Sequence, residues 1–396
     1  MEISKSYKGR EHSYIKHELL KGYLEALFSI VAVAGAQREN STREFVYVDC
    51  FAGPWGDESE ALTGTSIAIS LEILAKIRDL LDARFEPGHS RFKAVYVEEN
   101  RRRFTRLQEY LNGSCPPGIE CHALHGDYWR LQDEILQLCG ERAFAFFFVD
   151  PLGWTDVSVP KLKRLLRRPR TEFLINFMYD FLNRAIGMKD FQAQVSQMLG
   201  MLSDDDRNAL SSLTGPERAE WVVRRYRDAL TQEMGPDGAY PARSFHAEIL
   251  HKERERVLYH LVYLTRHHKG IVKFAEASER VSLVQRVVRL QTKQDHDPNL
   301  SLFSAEEQVL HEGMLGNSNL EDVRAYWLSV LTPEPKRFGE LELAAMLEQT
   351  GWLTGDLQEA FKELAAEGKV ENLDGSPRRT KHFIHFDKGE RLRRCA

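Results

Sequence analysis

The sequence predicts an α/β fold with a parallel sheet, followed by a smaller C-terminal domain. Short apolar, β-rich runs alternate with helical segments over most of the chain before residue 270, which is the pattern of a doubly wound sheet. Three of these runs end in a carboxylate, at Asp49, Glu98 and Asp150. Because the carboxyl ends of parallel strands meet at one edge of the sheet, we expect these acids to lie together there.

Composition limits the classes of function. The chain has 396 residues, of which 42% are hydrophobic and 29% charged, with a net charge of −5. This is typical of a globular protein with more than one domain and excludes a generic binder of polyanions. No run is apolar enough for a membrane span and the N-terminus has no signal-peptide pattern, so a cytoplasmic location is expected.

The cysteines are few and irregularly spaced. There are five, at positions 50, 115, 121, 139 and 395, without a C-x-x-C pair, and this pattern favours reduced thiols. Cys115 and Cys121 stand near His122 and His125. The spacing is not that of a standard zinc site, so a loop with incidental thiols is the favoured interpretation and no metal ligand is predicted.

The first strand leads into the central motif. A helix over residues 12–34 precedes the strand 45–49, which ends at Asp49. Glycines after a strand let the backbone approach a bound molecule, as in the nucleotide-type pocket of an open sheet. The residues expected at this pocket from the first strand are Asp49, Phe51, Ala52, Gly53 and Gly56.

The next two strands are expected to add to the same pocket. A helix over residues 66–81 leads to the strand 92–97. Glu98 at its end is placed to accept hydrogen bonds from ribose hydroxyls, with Glu99 as the alternative. A weaker strand over 119–124 ends near Asp127 and Tyr128. We expect Asp127 to accept from an adenine amino group and either Tyr128 or Trp129 to flank the ring.

The fourth strand carries the expected reaction site. Residues 143–149 are continuously apolar, as a central strand covered on both faces must be, and they run into Asp150, Pro151, Leu152 and Gly153. Proline ends the strand, which leaves the aspartate at the sheet edge.

A helical insertion and a hairpin are expected to complete the first domain. After a strand over 172–177, residues 179–235 are predicted to be helical, and an insertion of about 179–240 would cap the cleft. Two further strands, 245–250 and 257–265, are predicted to pair as a hairpin. The domain is expected to span residues 1–290.

The C-terminal part, residues 300–396, is predicted to be a winged helix-turn-helix domain. A polar linker over 291–299 precedes four helices, over 306–315, 320–331, 338–350 and 354–367. A hairpin of strands 368–373 and 381–386 would form the wing. This architecture reads DNA with its second helix, but the helix over 357–367 is acidic, so docking to a protein remains an equal alternative.

Basic residues form three clusters that suit phosphate contacts or, alternatively, solvated helix faces. The first contains Arg101, Arg102, Arg103 and Arg106. The second contains Lys161, Lys163, Arg164, Arg167, Arg168 and Arg170. The third contains Arg378, Arg379, Lys381, Lys388, Arg391, Arg393 and Arg394.

Several of these motifs together carry a family resemblance. The chain resembles class I S-adenosylmethionine-dependent methyltransferases and, more narrowly, the three-Cys-motif partner protein family (TcmP), which is bacterial and has a Rossmann-like methyltransferase domain. The segments that match are Tyr47-Val48-Asp49-Cys50-Phe51-Ala52-Gly53-Pro54, Val97-Glu98-Glu99-Asn100, Phe148-Val149-Asp150-Pro151-Leu152-Gly153, and residues 259–270.

The resemblance implies an S-adenosylmethionine site at Asp49, Gly53, Gly56 and Glu98, with Asp127 near the adenine. It places residues 150–153 where amino-methyltransferases acting on bases have a D-P-P-Y-type loop. Two positions depart from the pattern: Trp55 replaces a small residue, and Leu152-Gly153 replaces the Pro-aromatic pair.

Two functions follow as expectations. The first is a methyltransferase that acts on or binds nucleic acid. The second is an accessory subunit of a separate three-cysteine, radical-type iron–sulfur protein, which the resemblance implies as a partner.

Overall fold

The computed structural model describes residues 11–35, 43–53, 65–85, 90–254, 256–296, 304–312, 319–376, 379 and 382–395. The chain forms two compact units, one over Glu2–Arg266 and one over His267–Ala396. Each unit is described by itself below. In the part of the chain that the structure describes, no helix is long and apolar enough to cross a membrane.

A seven-stranded, mostly parallel sheet forms the centre of the first unit. Its strands are β1 Arg43–Asp49, β2 Ser90–Glu98, β3 Ile119–His125, β4 Phe144–Val149, β5 Thr171–Phe177, β6 Arg243–Leu250 and β7 Val257–Thr265. The spatial order is β3-β2-β1-β4-β5-β7-β6, and β7 is antiparallel to both neighbours. This is the Rossmann-like arrangement of a methyltransferase sheet, so the predicted fold class is confirmed.

One helix, α1 Glu11–Gly35, precedes the first strand, and four helices connect the parallel strands. They are α2 Ser66–Arg84, α3 Arg101–Ser114, α4 Gln132–Cys139 and α5 Val159–Leu166. Two of them begin at a capping side chain: Thr65 Oγ1 accepts from the backbone N of Ala68 at 3.3 Å, and Asn100 Oδ1 accepts from that of Arg102 at 3.0 Å. The Asn100 cap starts α3 directly after the end of β2.

The predicted helical insertion is confirmed between β5 and β6. It consists of α6 Tyr179–Ile186, α7 Gln192–Met198, α8 Asp204–Ser212 and α9 Gly215–Met234. Phe177 at the end of β5 stacks on Tyr226 of α9, with ring centroids 4.3 Å apart. The insertion therefore packs directly against one face of the sheet.

The core is densest at the central strands. All seven residues of β5 are buried, including the polar Glu172 and Asn176. Glu172 is satisfied, because it accepts from Tyr23 Oη at 2.6 Å and from Thr265 Oγ1 at 2.8 Å. From β1 the chain adds β2 and β3 on one side of the sheet and then β4 and β5 on the other, so the switch point lies between β1 and β4. Ligands of doubly wound sheets bind at the strand ends of such a switch point.

The second unit has a winged helix-turn-helix architecture preceded by a long helix. Its elements are α10 His268–His296, α11 Ala305–Glu312, α12 Leu320–Val330, β8 Lys336–Phe338, α13 Glu340–Thr350, α14 Thr354–Ala366, β9 Val370–Asn372 and β10 Glu390–Arg394. The small sheet has the order β8-β10-β9 and is antiparallel. Trp327 of α12 is fully buried, and its ring contacts those of Phe338 and Phe361.

The prediction of one strand of the wing is wrong. The segment predicted as a strand over 381–386 is not a strand where the structure describes it, and β10 lies at Glu390–Arg394 instead. The backbone of Ile384 is bonded by the Gln358 side chain, which donates to its oxygen at 2.8 Å and accepts from its nitrogen at 3.0 Å. The backbone N–H and C=O of Ile384 are therefore not available to pair with a neighbouring strand. Strand β8 was not predicted.

The prediction of a linker over 291–299 is also wrong for residues 291–296, because α10 continues to His296. Gln291 Nε2 donates to Asp295 Oδ1 at 2.9 Å, a pair one helical turn apart. The remaining linker positions lie outside the described residues. The two compact units divide after Arg266, and α10 packs against α13 within the second unit.

The expectation of reduced thiols is wrong for one pair of cysteines. Cys115 and Cys121 form a disulfide, with Cα atoms 6.3 Å apart, between the end of α3 and the beginning of β3. Cys50, Cys139 and Cys395 are free. His122 contacts Glu120 at 2.6 Å, so these residues do not form the zinc-like group that the sequence raised as a possibility.

Candidate functional site

The first acid of the site, Asp49, ends β1 and is fully buried. One carboxylate oxygen accepts from the backbone N of Phe51 at 3.0 Å, and the other accepts from Ser66 Oγ at 2.6 Å. Burial raises the pKa of Asp49 to about 7, an effect that these two hydrogen bonds oppose and the charge of Asp150 reinforces. The carboxyl group is therefore ready to gain or lose a proton near neutral pH.

Glu98 at the end of β2 lies against Gly53. A Cβ atom at position 53 would stand 2.0 Å from Glu98 Oε2, so only glycine leaves room for this carboxylate. The other oxygen, Oε1, accepts from the backbone N of Asn100 at 2.6 Å. Burial raises the pKa of Glu98, while the Asn100 bond and the nearby Arg103 lower it. The predicted pair of a glycine and a strand-end acid is thus in contact.

The chain after β1 turns sharply toward β2. Ala52 N donates to Val97 O at 2.8 Å, and Gly53 N donates back to Phe51 O at 2.8 Å. Gly56 and Trp55, which bear on the same predicted pocket, lie outside the described residues. The described part of the turn, residues 51–53, lies between the ends of β1 and β2.

The end of β3 joins the same edge. Gly126 has a positive φ of 139°, and its N donates to Glu98 O at 3.1 Å. The Asp127 carboxylate is 30% exposed, with Arg130 Nε at 3.5 Å. Asp127 is therefore accessible and lies next to Glu98 along the edge.

Tyr128 is buried instead of lining open space. It is 2% exposed and its hydroxyl donates to Asp156 O at 2.5 Å. Its ring packs on Phe51, with centroids 5.1 Å apart. Tyr128 therefore supports the predicted pocket indirectly, by packing against Phe51, which is partly exposed.

Asp150, which follows β4, is held by two side chains. Oδ1 accepts from Asn176 Nδ2 at 2.7 Å, and Oδ2 forms an ion pair with Lys16 Nζ. The exposed fractions of the Lys16 and Asp150 side chains are only 13% and 17%. Asn176 lies one residue before the end of β5, and Lys16 comes from α1.

The loop after Asp150 brings an apolar side chain to the surface. Pro151 is buried, Leu152 is 68% exposed and Gly153 is partly buried. A short 3-10 helix, Trp154–Val157, follows, and Trp154 contacts Phe191 edge-on at 6.2 Å. The loop therefore presents the apolar side chain of Leu152 to solvent.

Three residues of this site were not predicted as site residues: Lys16, Asn176 and Tyr259. Burial and the Asp150 charge raise the pKa of the Tyr259 hydroxyl, which lies on β7. The signal for Asn176 is visible in the sequence, because it is the one amide in an apolar strand that is buried on both faces. Lys16 and Tyr259 gave no local signal, since the fold alone brings them to Asp150.

The second basic cluster is used within the fold. Lys161 pairs with Asp156 at 2.6 Å, Lys163 and Arg167 pair with Glu233, and Arg164 pairs with Asp133. Arg168 is buried and donates to the carbonyls of Gly140 and Ala143 at 2.7 and 2.8 Å. These side chains act mainly in local structure, so this cluster is a poor phosphate surface.

The third basic cluster is similar where the structure describes it. Arg379 pairs with Glu390, Arg391 with Asp374, and Arg393 with Glu371, at 2.6–2.7 Å. Arg378 and Lys381 lie outside the described residues. In the first cluster, Arg103 lies beside Glu98 and Gly53, so that cluster borders the candidate site.

A further polar cluster lies on β6 and β7. His246, Glu248 and His260 have ligand atoms all within 4.8 Å of one another, the spacing of a metal site. However, Arg227 Nη1 lies 3.0 Å from His246 Nδ1. A guanidinium can only donate, so it occupies the lone pair of that nitrogen, and its charge opposes a bound cation. We therefore assign no metal to this cluster.

One comparison with known proteins concerns the C-terminal part of the chain. Residues 291–377 match the family model of the GMT-like wHTH domain. Among curated proteins, none matches the chain significantly in sequence. A crystal structure of protein LPL1258 from Legionella pneumophila str. Philadelphia 1, of family DUF519, matches at 10% identity with a TM-score of 0.33, over 64% of this chain and 84% of that chain.

The chain thus combines a Rossmann-like α/β fold with a C-terminal winged helix-turn-helix domain. The sheet topology defines the first part, and the family model identifies the second.

Proposed function

We propose that this protein is an S-adenosylmethionine-dependent methyltransferase of the TcmP type that acts on nucleic acid. The observation that carries the proposal is the contact of Glu98 with Gly53, beside Asp49 and Asp150, at the switch point of a methyltransferase-like sheet. A strand-end acid over a glycine turn is the arrangement that binds a ribose in such sheets.

The chain's own residues fit an adenosyl ligand. Gly53 has no side chain between the backbone and Glu98, so the Glu98 carboxylate can accept from ribose hydroxyls. Phe51 and the accessible Asp127 lie on either side of this position along the edge and suit an adenine. Asp49, buried behind the turn, offers negative charge to the cationic end of the cofactor.

The reaction needs orientation more than acid–base chemistry. S-adenosylmethionine supplies an activated methyl group, and transfer is an in-line displacement in which the enzyme aligns the acceptor and excludes water. Asp150 would orient the acceptor, since Lys16 and Asn176 fix its carboxylate. A carboxylate already paired with a lysine is a weak base. The acceptor is therefore a nucleophile that needs little deprotonation, such as an amine.

Nucleic acid is proposed as the substrate because of the winged helix-turn-helix domain and the basic cluster next to the site. The acidic helix α14 argues for a different docking face from the usual one. Its Glu363 and Glu367 pair with Arg324 at 2.8 and 2.6 Å, which reduces but does not reverse the negative charge.

The test is transfer of tritiated methyl groups from S-adenosylmethionine to unmodified RNA and DNA by the full-length protein. The proposal expects acid-precipitable counts on one of the two, abolished in Glu98→Ala. It also expects retention of that nucleic acid on a filter, with an affinity that falls as salt rises. Absence of both transfer and retention would refute it.

One observation favours an accessory role as the second candidate. Both oxygens of Asp150 are engaged by protein side chains, and Leu152-Gly153 stands where the resemblance places a Pro-aromatic pair. In that case the domain would serve as the partner of a three-cysteine, radical-type iron–sulfur protein. Cofactor binding without transfer would select this alternative.

A further inference from the structure

The amide of Asn176 has a fixed orientation. Its Nδ2 donates to Asp150 Oδ1 at 2.7 Å. The reverse orientation would place the amide oxygen against a carboxylate oxygen, and two acceptors repel each other. The amide oxygen Oδ1 therefore faces away from Asp150.

That oxygen has no protein partner. Asn176 is 4% exposed, and Oδ1 is closed to solvent without a hydrogen bond from any residue that the structure describes. A buried acceptor without a partner is costly. The neighbouring polar residue of the same strand, Glu172, has both oxygens bonded, so an unsatisfied group is not a general property of β5.

The surroundings define the chemistry of a ligand at this oxygen. An amide oxygen can only accept, so the ligand must offer an N–H or an O–H. A hydroxyl would have to lose its proton to attack a methyl group. Asn176 cannot take that proton, and Asp150 is paired with Lys16. An amino nitrogen attacks with its lone pair and needs no prior deprotonation.

We propose that Asn176 is a positioning residue whose Oδ1 binds an N–H of the methyl acceptor, and that the acceptor is an amino group. This inference rests on the proposed methyltransferase function. In the reaction the nitrogen lone pair forms the new N–C bond, the S–C bond breaks, and the sulfur keeps that electron pair. The second proton of the amine then leaves to solvent.

The experiment compares the wild type with Asn176→Leu, which keeps the side-chain volume but removes the acceptor. Asn208→Leu, on the exposed surface of α8, is the matched control. Methyl transfer from S-adenosylmethionine to unmodified RNA and DNA is measured, and the product is digested to nucleosides to locate the methyl group. Calorimetry with S-adenosylmethionine and thermal unfolding are measured in parallel.

We expect methyl groups on exocyclic nitrogens and a fall in the rate of transfer of roughly 10- to 100-fold in Asn176→Leu, the loss of one buried hydrogen bond. Cofactor affinity should stay unchanged. The unfolding midpoint should fall, because the substitution also removes the Nδ2 bond to Asp150, so the rates are compared at a temperature at which every protein is folded. If Asn176→Leu does not fold, Asn176→Ala removes the same acceptor with a smaller side chain and should show the same loss.

Two results overturn the inference while the proposed function stands: methyl groups on oxygen or carbon, or full transfer activity in both Asn176 variants. If the wild type binds no cofactor and transfers nothing, the proposed function itself fails, and the inference fails with it.

Discussion

The strand ends of the sheet and the wing of the C-terminal unit use polar groups in opposite ways. At the strand ends, Asp49 and Glu98 are buried carboxyls with raised pKa values, and Asn176 keeps an unsatisfied oxygen. In the wing, three arginines pair with three acids of β9, β10 and the loop between them.

This comparison distinguishes polar groups that are left for a ligand from polar groups that stabilise the fold. Buried groups left unsatisfied reduce stability and persist where a ligand completes them. Matched pairs of surface charges satisfy each other and leave little for a partner. A count of arginines in the sequence therefore overstates the phosphate-binding surface of the wing, whereas the strand-end acids Asp49 and Glu98 keep the buried positions that a ligand site needs.

The largest expected effect is at Asp150. Asp150→Asn keeps the shape of the side chain but removes its charge and one acceptor, so the acceptor substrate loses its orientation. We expect the rate of methyl transfer to fall by roughly 100- to 1000-fold. Asp190→Asn, at an exposed position before α7, should leave the rate unchanged. Equal rates for both variants would show that Asp150 has no role in methyl transfer.

The next effect is at Gly53. A Cβ there would overlap Glu98 Oε2 at 2.0 Å, so Gly53→Ala must push the carboxylate out of place. We expect weaker binding of S-adenosylmethionine by roughly 10- to 100-fold, as for the loss of one or two hydrogen bonds to a charged group. The control is Gly113→Ala in α3, where no atom lies within 4 Å of the added Cβ.

Calorimetry measures both glycine variants. Gly113→Ala should keep the wild-type affinity and gain about 0.5–1 kcal/mol of stability, because alanine favours a helix over glycine. Equal affinities for Gly53→Ala and the wild type would place the ribose elsewhere.

In the wing, the effect should appear in stability and not in activity. Arg379 pairs with Glu390, whose side chain is 4% exposed, so Arg379→Ala leaves a buried carboxylate short of a partner. We expect a loss of about 2 kcal/mol, seen as faster hydrogen exchange over residues 370–394. Arg391→Ala, at a side chain that is 60% exposed, should have a smaller effect.

Nucleic acid binding by the same two variants sharpens the comparison. If both arginines act only inside the wing, neither substitution changes the salt dependence of retention beyond the effect of unfolding. A decrease in the salt slope of about one for folded Arg391→Ala would instead assign that side chain to a phosphate.

The smallest effect is a pH dependence. Burial raises the pKa of Asp49 to about 7 from an ordinary value of 3.8. A cationic ligand favours the ionised form, so affinity for S-adenosylmethionine should fall by up to about tenfold per pH unit below pH 7. Asp49→Asn should bind more weakly and lose this dependence.

The same shift has a defined sign for stability. The folded protein holds the Asp49 proton more tightly than the unfolded chain does. This contribution to stability is fully present below about pH 4 and is lost as the pH rises through about 7. The unfolding midpoint of the wild type should therefore decrease more between about pH 5 and pH 8 than that of Asp49→Asn.

Most of the sheet could be predicted because its information is local. Strands β1, β2 and β4 are apolar runs that end in an acid, and parallel pairing then brings those acids to one edge. The expectation for β5 and for the β6–β7 hairpin was confirmed for the same reason. Caps at Thr65 and Asn100 mark the following helices in the sequence itself.

The rest depends on contacts that are distant in sequence. Lys16 reaches Asp150 over 134 residues, and no pattern around Lys16 announces this. In the wing, residues 381–386 and Glu390–Arg394 are both plausible strands, and the side chains of Gln358 and Glu390 decide between them by bonding the backbone at Ile384 and His385. The disulfide between Cys115 and Cys121 is a local contact, but the turn between α3 and β3 that forms it was not predicted.

Titration of the full-length protein with S-adenosylmethionine by calorimetry, in parallel with Glu98→Ala, measures directly whether the strand ends form a cofactor site. The account predicts one saturable site per chain in the wild type and an affinity lower by roughly 10- to 100-fold in the variant. No heat of binding at millimolar ligand, or equal affinities for the two proteins, would contradict it.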